Sequence, residues 1–287
     1  MRHWALVVAV AASTITITQM ASAASPPAHR WTGWYAGLNA GGTWGGDPVS
    51  TTASNSQFCP VPVCGHALEF ATASIQGATG KVPGSAAGFI GGGQLGYNWQ
   101  IANRWIAGLE TDIQGLAGAG KSHVTSSSFD VSGFAGHSVV TDLSTSKSID
   151  FLGTLRGRLG YLIEPRLLVF GTGGIAFGHA ESSLVISQNL TGSGLGALET
   201  SFGTTPSVSR MLGGWTLGGG FEWMLAPNWS AKVEYLYYDL GKVTASGQLA
   251  DRIVAPMPPT TYYFVNDVQS ATRFNGSIVH VGLNYHY

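Results

Sequence analysis

The sequence predicts an all-β fold: an eight-stranded antiparallel transmembrane β-barrel with long extracellular loops and short periplasmic turns. Three observations predict it. Apolar and small or polar residues alternate with period two along several segments, as side chains do on the two faces of a strand. Short and long connections alternate between those segments. Composition is unlike a soluble domain: charged residues make 10%, aromatics 11%, and there are 41 glycines in 287 residues, against about 25% charged in ordinary soluble proteins. Few charges, many rings and abundant glycine suit a wall that faces lipid.

The N-terminus sets the compartment. Arg2 and His3 precede an apolar run from Trp4 to Ile17, followed by Ala21-Ser22-Ala23. A basic start, an apolar stretch and a small-x-small site is the order of a secretory signal. The apolar run is shorter than the roughly 20 residues of a spanning helix. Residues 1–23 are read as a signal peptide, leaving 24–287 as one barrel domain of a Gram-negative outer membrane. That leaves 13 basic and 15 acidic residues, a balance that excludes the basic face nucleic acid requires. No later stretch approaches 18 unbroken apolar residues, which excludes helical spans.

Strand by strand, Trp34–Trp44 alternates weakly. Gly88–Gln100 points Phe89, Leu95, Tyr97 and Trp99 one way and Gln94, Asn98 and Gln100 the other. In Trp105–Gly115, Ala107, Leu109, Thr111 and Ile113 oppose Glu110, Asp112 and Gln114. Ser148–Tyr161 is the clearest: Ile149, Phe151, Leu155, Leu159 and Tyr161 oppose Thr154, Arg156 and Arg158, with Asp150 expected at the loop end of the charged face. Leu167–Gly178 is apolar on both faces, so its register is unreadable, but its place calls for a strand. Trp215–Leu225 sets Glu222 inward, Ser230–Tyr238 sets Lys232 and Glu234 inward, and the last strand turns Val279, Val281, Leu283, Tyr285 and Tyr287 outward against His280, Asn284 and His286. Turns fall at 101–104, 163–166 and 226–228, with Pro or Asn as turn formers. Long connections cover roughly 45–86, 117–147, 179–211 and 243–272. Four long and three short connections give eight strands, in keeping with even-numbered barrels whose turns are short on the periplasmic side. Trp99, Trp105, Tyr161, Trp223, Trp229, Tyr285 and Tyr287 gather at the short-turn end, where an interfacial girdle belongs.

The inward charges Glu110, Asp112, Arg156, Arg158, Glu222, Lys232 and Glu234 nearly balance. An eight-stranded bore is just wide enough to be filled by side chains, and buried charges are tolerated only when paired. They are therefore read as an internal salt-bridged plug rather than a polar path for small ions. Cys59 and Cys64 form Cys-Pro-Val-Pro-Val-Cys and are expected to close a loop disulfide in an oxidising compartment. Gly91-Gly92-Gly93 lacks the strand–loop–helix setting of a nucleotide site, and no histidine lies in a nucleophile context such as Gly-x-Ser-x-Gly, so no enzyme and no cofactor is expected. His123 and His137, in a Ser-rich loop, are read as solvated bystanders rather than ligands of a metal or haem.

Several motifs carry a family resemblance: Trp31-Thr-Gly-Trp-Tyr-Ala-Gly-Leu-Asn-Ala-Gly-Gly, Gly88-Phe-Ile-Gly-Gly-Gly-Gln-Leu-Gly-Tyr-Asn-Trp-Gln, Thr154-Leu-Arg-Gly-Arg-Leu-Gly-Tyr, Gly214-Trp-Thr-Leu-Gly-Gly-Gly-Phe-Glu, Val233-Glu-Tyr-Leu-Tyr-Tyr-Asp-Leu-Gly and the closing Val281-Gly-Leu-Asn-Tyr-His-Tyr. The chain resembles the outer membrane immunogenic protein or "porin" family, with an OmpA-like barrel. The resemblance implies a surface antigen of the outer membrane, in contact with lipid and lipopolysaccharide. It also implies recognition of the last strand by the barrel-assembly machinery. Tyr287 stands where family members usually end in Phe and keeps the terminal ring. The expected role is structural and surface-interacting. A low-conductance porin and a loop-mediated receptor (for haem, for example) or adhesin are the alternatives. Oligomeric state is not legible.

Overall fold

Alternation becomes hydrogen-bonded sheet over most of the chain in a computed structural model, which describes residues 31–58, 67–84, 87–118, 122–192, 200–256 and 259–287. The expected signal peptide and the pair Cys59 and Cys64 lie outside the described residues. In chain order the elements are β1 (Gly33–Trp44), β2 (Val49–Phe58), α1 (Ala67–Ala78), β3 (Gly80–Val82), β4 (Gly88–Gln100), β5 (Trp105–Ala117) and β6 (His123–Asp130). There follow β7 (His137–Glu164), β8 (Leu167–Gly192), β9 (Thr200–Thr204), β10 (Ser207–Ala226), β11 (Trp229–Pro256) and β12 (Pro259–His286).

All pairings between these strands are antiparallel. They run β1-β4-β5-β7-β8-β10-β11-β12, and β12 pairs with β1 again, Tyr35 opposite His286 and Trp44 opposite Ser277, so the path returns to its start. Every strand on that path therefore has two neighbours, which removes the unpaired edges that a sheet otherwise exposes. One face is buried and the other exposed. Leu38, Phe89, Leu95, Leu109, Ile113, Leu155, Leu159, Ile175, Leu217, Phe221, Val281 and Leu283 are all exposed, an inversion of the soluble pattern in which large apolar side chains are covered.

Two expectations are corrected. Among the described residues there are twelve strands, eight of them on the closed path. The long connections are not irregular loops: β7, β8, β10, β11 and β12 continue through them, while β2 and β3 extend the sheet beside β12, β6 pairs with β7 and β9 with β8. Ser and Thr, which dominate these stretches, read as loop residues, yet Thr is a good strand former and a cross-strand partner supplies what propensity does not. Asp150 is the second correction. A bulge in the β7–β8 ladder between Ile149 and Phe151 inserts one residue, and a one-residue slip exchanges the two faces of a strand. Ile149 is consequently buried and Asp150 exposed. Beyond it Lys147, Thr145, Leu143, Thr141 and Val139 are buried in turn.

The buried face is layered. Trp31, Ile106, Leu162, Leu168, Phe170 and Met224 pack at the short-turn end, with the Trp31 indole N–H donating to the Pro165 carbonyl at 3.0 Å. At the level of Ile90, Leu152, Leu236, Tyr238, Phe274 and Ile278 a second apolar layer closes the other side. The charges lie between these two. Farther out, α1 turns Phe70, Ala71, Ser74, Gly77 and Ala78 onto the extended strands. There Ser74 Oγ donates to Gln188 at 2.6 Å, and Asn266 Nδ2 donates to Ser74 Oγ at 3.0 Å.

Candidate functional site

Period two places the seven inward charges at one height on four strands. On β5, Glu110 and Asp112 lie two apart; Arg156 stands opposite Glu110 on β7, and Arg158 opposite Gly108. On the far side, Glu222 of β10 faces Lys232 of β11. All seven are buried.

Arg156 is the hub. One terminal nitrogen lies 2.5 Å from Glu110 Oε1 and 2.6 Å from Asp112 Oδ2, and the other lies 2.6 Å from Glu234 Oε1. Its Nε donates to Thr154 Oγ1 at 2.9 Å, and that hydroxyl donates to Asp112 at 2.7 Å. Lys232 bridges Glu110 at 2.8 Å and Glu234 at 3.1 Å. Arg158 reaches Glu222 at 2.6 Å and lies over the Phe170 ring, 4.2 Å from its centroid. A planar guanidinium suits this work, since it can serve several carboxylates at fixed angles and stack on a ring. Arg156–Glu110 follows the β5–β7 ladder, whereas Arg156–Glu234 and Lys232–Glu110 join β7 and β5 to β11, strands that are not neighbours, and so cross the enclosed space.

Sequence reasoning missed the rest of the network. The Tyr35 hydroxyl donates to Glu110 at 2.6 Å and accepts from Arg158 at 2.9 Å. Glu222 also accepts from Ser230 at 2.6 Å and Asn284 at 2.9 Å, and His280 lies 2.8 Å from Glu234. Gln94 hydrogen-bonds Asn39 and Asn284. The signal for Tyr35 was present, since it shares the period of Asn39 on β1. His280 and His286 were read as inward, and each stands beside a carboxylate.

The aromatics predicted at the short-turn end are all exposed. Trp105 meets Tyr161 edge-on at 5.2 Å between centroids, Trp229 meets Tyr285 at 5.2 Å, and Tyr285 meets Tyr287 at 5.1 Å. Trp99 packs beside Tyr97, and Trp223 stands exposed on β10. A second, unpredicted set rings the other margin of the apolar wall: Trp44 with Tyr235 and Trp215 with Tyr237. His123 pairs with Thr145, eight residues along β7 from His137, a span of about 26 Å, so the two histidines do not converge on one ligand.

The comparisons agree with this architecture. The family described as outer membrane protein beta-barrel domain matches residues 8–286. The 31 kDa outer-membrane immunogenic protein of Brucella melitensis is 34% identical over 280 residues, 97% of this chain and 93% of that protein. The 22 kDa outer membrane protein of Rhizobium leguminosarum is 27% identical over 150 residues, 52% of each. Among solved structures, OprG of Pseudomonas aeruginosa superposes with a TM-score of 0.36 at 13% identity over 89% of this chain and 97% of that one, a likeness too distant to carry an argument. A closed antiparallel sheet with an apolar exterior and buried charges thus meets a match over nearly the whole chain: this is an outer-membrane protein of the outer membrane β-barrel domain family.

Proposed function

We propose that the eight strands on the closed path form the membrane wall, and that the protein is a sealed, non-enzymatic barrel with a structural and surface-contacting role. Two aromatic margins support the span. On β11, Trp229 and Tyr237 are eight residues apart, about 26 Å along a strand and about 20 Å across a membrane at a tilt of about 40°. The apolar band of such barrels is about 25 Å tall. Outer-membrane lipid, including lipopolysaccharide, then covers the apolar face. Its contact with the margins is through the rings, and the assembly machinery reads the last strand, ending at Tyr287.

The observation that carries the sealed reading is the ion-pair network held between two apolar layers. Each of the four carboxylates and three cations has an opposite charge within 2.8 Å, and such paired charges hold one another rather than draw ions through. A conducting path would have to pass both that network and the Trp31–Phe170 layer beneath it. The surface-contacting part of the proposal rests on the strands that continue past the outer margin, because loops and extensions on a rigid scaffold are where partners bind. The test is salt and sugar flux from liposomes bearing the inserted protein. They are expected to be as tight as protein-free liposomes. Leakage rising in proportion to inserted protein would make the porin reading the correct one.

A further inference from the structure

The bulge that exposes Asp150 also aims it. Asp150 Oδ2 lies 2.8 Å from His179 Nδ1 on the neighbouring strand. Glu181, the next outward residue of β8, brings its carboxylate to the same place, so that one ligand atom from each of Asp150, His179 and Glu181 lies within 4.8 Å of the others. Ser209 of β10 stands opposite Glu181 in the ladder. Its Oγ donates to Glu181 at 3.0 Å and lies 3.3 Å from His179 Nε2. Two carboxylates flank one imidazole, and among the described residues neither has a Lys or Arg in ion-pair contact. The exposed apolar residues Phe177 and Met211 come two positions below on β8 and two above in number on β10, so the group sits at the outer rim of the apolar wall.

We propose that Asp150, His179 and Glu181 form a site for a divalent transition-metal cation of the Zn2+ type. One imidazole nitrogen and two carboxylate oxygens are a donor set of that class, and the two negative charges match the cation. Ligand atoms about 2.0–2.2 Å from a tetrahedral Zn2+ stand about 3.3–3.6 Å from one another, so small side-chain rotations close the present spacing. A ligating histidine usually has its second nitrogen held by an outer partner, and Ser209 supplies that partner while also fixing Glu181. Asp150, His179 and Ser209 also follow the order of a hydrolase relay, but the Ser209 hydroxyl donates to the Glu181 carboxylate, which adds negative charge beside it. A cation, not an ester, fits that field.

The test is calorimetric titration of ZnCl2 into the full chain refolded in detergent micelles. One saturable site is expected. His179→Ala is expected to abolish it, Asp150→Asn and Glu181→Gln to weaken it at least tenfold, and His123→Ala and His137→Ala to leave it unchanged. The three ligand side chains are exposed or half-exposed, and gel mobility before and after heating checks that each variant is folded. Absence of saturable binding to the parent protein, or unchanged binding to folded His179→Ala, would overturn the assignment. Displacement of Zn2+ by an equal concentration of Mg2+ or Ca2+ would overturn the transition-metal class.

Discussion

Replacing Arg156 by Ala removes the residue on which three buried carboxylates converge. Its guanidinium lies within 2.6 Å of Glu110, Asp112 and Glu234, all with side chains at most 2% exposed. The losses are unequal. Glu110 keeps Lys232 and Tyr35, and Glu234 keeps Lys232 and His280. Among the described residues Asp112 keeps only the Thr154 hydroxyl. One carboxylate is therefore left without a cation, and breaking a buried pair from one side costs about 3–5 kcal/mol. Taken at its lower end, that is about a hundredfold in the folding equilibrium at about 1.4 kcal/mol per decade. Urea unfolding of the protein in lipid vesicles, followed by tryptophan fluorescence, measures it. The double variant Arg156→Ala/Asp112→Asn removes the stranded charge and is expected to recover part of the loss. An Arg156→Ala midpoint equal to the parent's would refute the claim that the network holds the barrel together.

Other perturbations test neighbouring parts of the account. Leu109→Arg puts a charge on the exposed apolar face of β5; in a bilayer it is expected to cost about 2–4 kcal/mol, and a neutral effect in vesicle unfolding would remove that face from the membrane. Gly96→Ala places a methyl group on the Tyr35 ring, so it is expected to displace the hydroxyl from Glu110 and Arg158 and lower stability by about 1–3 kcal/mol, read by the same unfolding assay. Gly77→Leu drives α1 into Thr141 of β7, and faster proteolysis of the first long connection should follow while the barrel itself stays protected. Lys147, beyond the outer margin, is pushed down by burial to about 8. Above that pH the unfolded chain binds the proton that the folded one has released, so stability rises with pH. Lys147→Met should therefore stabilise the protein at pH 7 by a margin that shrinks as pH climbs from about 8 toward the ordinary lysine range, and a pH-independent difference would contradict it.

Much of this was legible because period two is rigidly tied to the two faces of a strand. The turn at 101–104 falls between β4 and β5, and all seven inward charges lie on the buried face. Legibility failed where the period was interrupted. No residue marks the bulge at Asp150 in advance, since an insertion in one strand is defined only against its partner. Leu167–Gly178 was unreadable because Phe170 and Leu168 fill an apolar layer on the buried face while Ile175 and Phe177 face out; both environments ask for the same residue types. The strand extensions were hidden by Ser and Thr. For α1 a signal existed, since Phe70, Ala71, Ser74 and Ala78 recur at helical spacing in an Ala-rich stretch. The grouping of Asp150, His179 and Glu181 could not be seen at all, because it arises only through the register of β7 against β8.

Single-channel recording in a planar lipid bilayer tests the sealed bore most directly. With insertion verified independently, the refolded protein is expected to give a silent membrane across the physiological voltage range. Discrete, reproducible current steps that scale with salt concentration would contradict the account and make Glu110, Arg156 and Lys232 the lining of a pore.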